Sequence, residues 1–451
     1  MARKVFISFL GGTNYQYCDY KKGEKSYGDV RFIQEATLNY LNVNDEWCEN
    51  DVALILLTQG AEDSNWIDNG QKDREGNIIP DKHTQGTLEG LETRLKQYNI
   101  KLDPIRELPD GNNEKEIWTI FERVFEKIEP NDELYFDITH GFRYLPMLVL
   151  VLCSYSKFLK NVTVKSVTYG NYEVTRQLGH GLIVDLLPLS QLQDWTYAAG
   201  TYLDSGNVDK LVQLKTLVKN EELQNIVESL ETVIKERQTC RGLQIHNSDN
   251  LSILKASLEK YLSAKTDDRP EEEPLHQILK EVDKSLEDFD IKSNFMNGFN
   301  AAKWCAKNGL FQQAITMLRE NFVTLFCERH NLNIMNKEMR LIVETALNIL
   351  VNKNQNKKNK WPSDLTDDQI ACIESVLQDC WLQSQIDEKG KKHRAEAIQI
   401  YQEIRDYRNN FNHAGFNEGA PSPKEIETQI NEFVDRIITI FSKLNTIPLC
   451  S

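Results

Sequence analysis

Short apolar runs alternate with amphipathic stretches over the first 190 residues. Residues 4–10 (KVFISFL), 52–58 (VALILLT) and 134–138 (LYFDI) have the length and the β-branched, aromatic content of buried strands. Residues 162–169 and 181–187 predict two more strands, and 100–105 a short one. Between them, apolar spacing predicts helices over 30–41, 87–98, 114–128 and 142–159. In the third of these, Ile117, Ile120, Phe121, Val124, Phe125 and Ile128 share one face. Residues 60–83 are polar and rich in Gly and Asp, the pattern of a surface loop. Strands alternating with helices predict an α/β N-terminal domain, Rossmann-like, with a mostly parallel sheet covered on both faces.

After Pro188 the period changes. Residues 190–262, 276–350, 394–413 and 423–444 place leucines, valines and isoleucines at helical spacing. An all-α C-terminal region is expected. Residues 266–274 (TDDRPEEEP) and 352–361 (NKNQNKKNKW) interrupt it as linkers or loops. No internal repeat is present.

At 451 residues the chain exceeds one ordinary core, so two or three domains are expected. The net charge of −15 argues against a broad basic surface for duplex nucleic acid, yet leaves room for a small local RNA site. Nine scattered cysteines form no CxxC pair and no zinc-spaced cluster. They read as reduced thiols. With the chain entering a strand at residue 4, no signal peptide is expected. The apolar run at 145–153 is far too short to span a membrane. A cytoplasmic protein is therefore expected, with no membrane and no stable DNA partner.

Two stretches hold candidate chemistry. The first follows the strand at 134–138, which breaks into Asp137, Thr139, His140 and Gly141 before a helix expected from Phe142. Open α/β sheets present ligands at such carboxyl-end loops. A helix start offers unpaired N–H groups to an anion. Arg143, expected in the first helical turn, sits where the helix dipole disfavours a cation, which points to a ligand. Asp137 and Thr139 serve equally well as turn and cap residues. Gly11, Gly12, Thr13 and Asn14 end the first strand in a similar polar loop. The third Gly and the later acid of a dinucleotide fingerprint are missing. Parallel strands would gather these loops, with Thr58 and Gln59, on one edge.

The second stretch is residues 404–415. Arg408 and His413 are five positions apart, about 7.5 Å along a helix axis, and Asn409 follows the arginine. Gly415 is a candidate C-terminal cap, which would favour protonated His413 in the last turn. Such a pair suits RNA cleavage. The imidazole would exchange protons with the reacting oxygens, the guanidinium would hold the phosphate, and the RNA 2′-OH would attack without a metal. Spacing alone is weak, because Arg241 and His246 share it.

The local context is specific. Asp137-Ile-Thr-His-Gly-Phe-Arg-Tyr-Leu-Pro146 resembles the DxTHG-F-R segment of CRISPR-associated CARF proteins of type III systems. Phe9-Leu-Gly-Gly-Thr-Asn14 is similar to the same family's first-strand loop, with one extra Gly. The Arg408, Asn409 and His413 stretch resembles the R-x4-6-H motif of HEPN ribonucleases. The resemblance implies a CARF-like sensor over 1–190, a helical connector over 191–300 and a HEPN-like ribonuclease domain over 301–451. It implies an endoribonuclease of antiviral defence, activated when cyclic oligoadenylate, preferably tetraadenylate rather than hexaadenylate, binds a CARF homodimer. Cleavage of single-stranded RNA would then occur at a composite HEPN site, with no other cofactor. Gly12, Thr13, Asn14, Asp137, Thr139, His140, Gly141 and Arg143 match the ligand-binding segments. Arg408, Asn409 and His413 match the catalytic motif, and Glu320 is a candidate partner for Arg408. Two other readings stay open: a non-catalytic sensor whose helical half recruits a partner, and a nucleotide enzyme acting at Asp137 and His140.

Overall fold

The structure is a computed structural model that describes residues 2–441, except 84, 142, 217–219, 265–272, 353–360, 362–364, 384, 387–391, 394, 413–415 and 417–419. The chain divides into two compact units, Met1–Leu192 and Gln193–Ser451.

The first unit is built on a nine-stranded sheet: β1 (Lys4–Phe9), β2 (Cys18–Lys22), β3 (Lys25–Val30), β4 (Val52–Thr58), β5 (Lys101–Leu102), β6 (Ile105–Leu108), β7 (Glu133–Asp137), β8 (Thr163–Asn171) and β9 (Gly181–Asp185). Its order is β3-β2-β9-β8-β7-β1-β4-β5, with β6 also on β4. β1 lies at the centre, parallel to β4 and β7, with Ser8 opposite Ile55 on one side and Asp137 on the other. Alternation along β1 divides the core. Val5, Ile7 and Phe9 face the helices Glu114–Lys127 and Leu145–Lys160. Phe6 and Leu10 face a second layer that includes Phe32, Leu38, Trp66 and Leu91.

Several details depart from the sequence expectation. The stretch 60–83, expected as a surface loop, opens as helical turns, Gln59–Ala61 and Glu62–Trp66, with Asn65 and Trp66 fully buried. The hairpin β2–β3 pairs antiparallel through Lys-rich segments whose polar, half-exposed pattern hides an edge strand. The expected 87–98 helix shrinks to Leu91–Leu95. There the Gly90 N–H donates to Asp68 Oδ1 at 2.7 Å and its Cα packs on the Trp66 backbone, which fixes an extended approach. The helix expected from 142 starts at Leu145. Pro146 has no N–H to bond the carbonyl of residue 142, so it belongs in the first turn. Arg143 therefore lies in the turn before the helix, not inside it.

Among its described residues the second unit is built of helices, with a two-residue antiparallel pair, Gln385–Ile386 with Lys392–His393. One core runs from Trp195 to Phe441. The helix Met296–Lys307 crosses the expected connector boundary and packs on Phe311–Arg329 and Pro423–Phe441. Within this core Arg237 is buried with no carboxylate partner among the described residues, its guanidinium 3.8 Å from the Phe289 ring centroid.

Candidate functional site

The carboxyl ends of β1, β4 and β7 bring three loops together. Gly12 packs on the Gly60 backbone, 3.6 Å from where its Cβ would stand, and Gly11 packs against Tyr15 and His140. Residues 11–14, the Thr58 turn, residues 137–141 and Arg143 thus form one edge, as the topology predicts.

Asp137 is the internal brace of that edge. Its side chain is fully buried. Ser8 Oγ donates to Oδ2 at 2.7 Å, while the Thr139 N–H at 3.2 Å and the Thr139 hydroxyl both donate to Oδ1. Burial pushes its carboxyl above the usual range, against the lowering effect of these donors. Thr139 Oγ1 also accepts from the Gly170 N–H at 2.7 Å, linking β7 to β8. Asp137 thus turns the chain and shapes the loop; expected as a ligand contact, it faces inward in this structure. Gly141 has φ of +126°, and a Cβ there would stand 1.9 Å from Leu145 Cδ1, so only glycine fits.

His140 is held edge-on to Tyr15, ring centroids 4.5 Å apart. Its Nε2 is buried with no hydrogen-bond partner, and burial pushes the imidazole down to about 4. It is neutral at physiological pH. Tyr15 Oη accepts the Gly11 N–H at 2.8 Å. Gly12, Thr13, Asn14, Gly141 and Arg143 are exposed. Arg143 makes no hydrogen bond or ion pair with the described residues, so the edge ends in a free cation.

Sequence reading missed Ser8, Tyr15, Gln34 and Asn65. Gln34 Nε2 donates to Ser8 Oγ at 3.0 Å and to Phe9 O at 3.1 Å. The available signal was a serine inside an otherwise apolar strand, which needs a buried partner.

The second candidate stretch lies on the helix Glu396–Asn412. Ile398, Tyr401 and Ile404 anchor it in the core, and Tyr407 meets Phe433 edge-on at 5.5 Å. Arg408 is half-buried with its Nε lacking a hydrogen-bond partner, and Asn409 is exposed. His413 and Gly415 lie outside the described residues. Glu320 does not pair with Arg408. It binds Arg319 and Arg340, the latter at 2.9 Å. Neighbouring Arg405 is taken by Asp406 at 3.0 Å and Asn348 at 3.2 Å, which leaves Arg408 as the less committed arginine of this helix.

The fold is an α/β domain with loops gathered at one sheet edge, followed by a helical unit. Residues 5–173 match the CARF domain of CRISPR system endoribonuclease Csx1. CRISPR-associated protein MJ1674 of Methanocaldococcus jannaschii is 25% identical over 394 residues, covering 79% of this chain. The chain spans 58% of that relative's length. The N-terminal unit thus carries a Csx1-type CARF domain, in a chain similar over most of its length to a CRISPR-associated protein. Among the described residues no helix is long and apolar enough to cross a membrane.

Proposed function

We propose that this protein is an ancillary endoribonuclease of a type III CRISPR system, switched on by cyclic oligoadenylate at the CARF edge. One observation supports the sensor half above others. The CARF-matching domain gathers its three carboxyl-end loops around exposed backbone and an unpaired Arg143, the chemistry that receives a phosphodiester ring. Neutral His140 adds a hydrogen-bonding ring without adding charge.

The active protein is a homodimer. A ligand with two-fold symmetry suits two copies of one pocket about a C2 axis. The helix Leu145–Lys160 is apolar on both sides. Leu148, Val149 and Leu152 face the sheet, while Met147, Val151, Tyr155 and Phe158 are exposed, Phe158 by 84%. Trp118 of the neighbouring helix extends this outer face. A helix hydrophobic all round needs a partner, and a second copy provides one.

In the helical unit, Arg408 binds the scissile phosphate of single-stranded RNA, and Asn409 assists in positioning it. His413 withdraws the 2′-OH proton and returns one to the leaving 5′-oxygen. The 2′-oxygen forms its bond to phosphorus as the 5′-oxygen bond breaks, which yields a 2′,3′-cyclic phosphate and a 5′-hydroxyl. Two copies double the cationic groups around one phosphate. No metal enters this step. Ligand binding shifts the pairing of the helical units into working geometry, which requires differential contacts in two states. Equal RNA cleavage rates with and without cyclic tetraadenylate, in a protein that binds it, would refute the switch.

A further inference from the structure

Two carbonyls of the first loop are held from beneath by one side chain. Asn65 Nδ2 donates to Gly11 O and to Thr13 O, each at 2.8 Å. Asn65 is fully buried and lies in the turn Glu62–Trp66 that follows β4. Its own oxygen accepts from Arg31 Nη2 at 3.3 Å. Arg31 is itself buried and is fixed from the other side by the Glu89 carbonyl.

Peptide planarity gives this clamp a consequence. The loop contains no cis bond, so the carbonyl of one residue points opposite to the N–H of the next. With the Gly11 and Thr13 carbonyls drawn inward, the Gly12 and Asn14 N–H groups point away from Asn65, towards the exposed edge. No described residue accepts a hydrogen bond from either, whereas the Gly11 N–H is used by Tyr15.

We propose that Asn65 is a positioning residue of the ligand site, holding Gly12 and Asn14 as a fixed pair of N–H donors for a phosphodiester oxygen of the cyclic ligand. The proposal rests on the sensor reading above. A primary amide suits the task because it is neutral and offers two protons, one for each carbonyl. Serine offers one proton, alanine none, and aspartate sets a carboxylate against two carbonyl oxygens. Preorganised donors bind an anion without the ordering cost of a free loop.

The test is calorimetric titration of the full-length protein with cyclic tetraadenylate and cyclic hexaadenylate. Wild type is compared with Asn65→Ser, Asn65→Ala and Asn65→Asp, each checked for folding by thermal unfolding. Affinity is expected to fall with donor count: a few-fold for serine, tenfold or more for alanine and aspartate. A packing role alone would order the variants by volume and spare the isosteric aspartate. Near-wild-type binding by a folded Asn65→Asp protein overturns the proposal. Wild type binding neither ring would instead overturn the sensor reading, before any variant is made. If the variants do not fold, hydrogen–deuterium exchange on wild type decides. Ligand must slow exchange in the peptide covering residues 12–14, and unchanged exchange with ligand bound overturns the assignment.

Discussion

The Ser8 hydroxyl lies 2.7 Å from Asp137 Oδ2, joining β1 to β7 at paired positions of the sheet. Three donors from two residues converge on that buried carboxylate. Asp137→Ala leaves them unsatisfied inside the core, at a cost of about 2–4 kcal/mol. Urea unfolding of the N-terminal unit should show this loss together with weakened ligand binding. Unchanged stability would mean that the brace is dispensable.

His140 gives the domain a pH signature. Burial pushes its imidazole down to about 4 in the folded state, against about 6.5 in an unfolded chain. The unfolded state therefore binds this proton first. The stabilisation is fully present above pH about 6.5 and is lost as pH falls towards about 4. Unfolding free energies at pH 7.5 and 5 should diverge less in His140→Gln than in wild type.

Arg143 is exposed and unpaired, so Arg143→Ala should leave stability within about 0.5 kcal/mol of wild type. Affinity for the cyclic ligand should fall about 10- to 100-fold, the scale of a lost charge-assisted phosphate contact. Titrations at two salt concentrations check the cause, because the variant should show the weaker salt dependence.

Phe158→Glu places a charge in the middle of the exposed apolar face. Size-exclusion chromatography with light scattering should show a dimer for wild type and a monomer for the variant, with the same circular dichroism. A dimeric variant would move the interface elsewhere on the chain.

Much of this architecture was legible in the chain. The apolar runs at 4–10, 52–58 and 134–138 form the largely buried strands Lys4–Phe9, Val52–Thr58 and Glu133–Asp137, and their parallel pairing gathers the loops foreseen at one edge. Long-range polar contacts were not legible. Asn65 reaches residues 52 and 54 positions away, and no local pattern encodes which amide meets which carbonyl. The hairpin β2–β3 escaped because an edge strand needs no apolar alternation on its solvent face. Glu320 sits on its expected helix, but Arg319 and Arg340 lie nearer to it and take its charge.

Ligand-gated RNA cleavage is the proposed activity that joins the two units. The most direct measurement is a fluorogenic single-stranded RNA assay in EDTA, with cyclic tri-, tetra- and hexaadenylate added separately. Wild type should cleave when one ring is present, with cyclic tetraadenylate the expected activator. Arg408→Ala and His413→Ala should lose about 100-fold or more in rate while binding that ring as tightly as wild type. Tight binding of a ring with no cleavage by wild type would contradict the account and make the protein a sensor that recruits a partner.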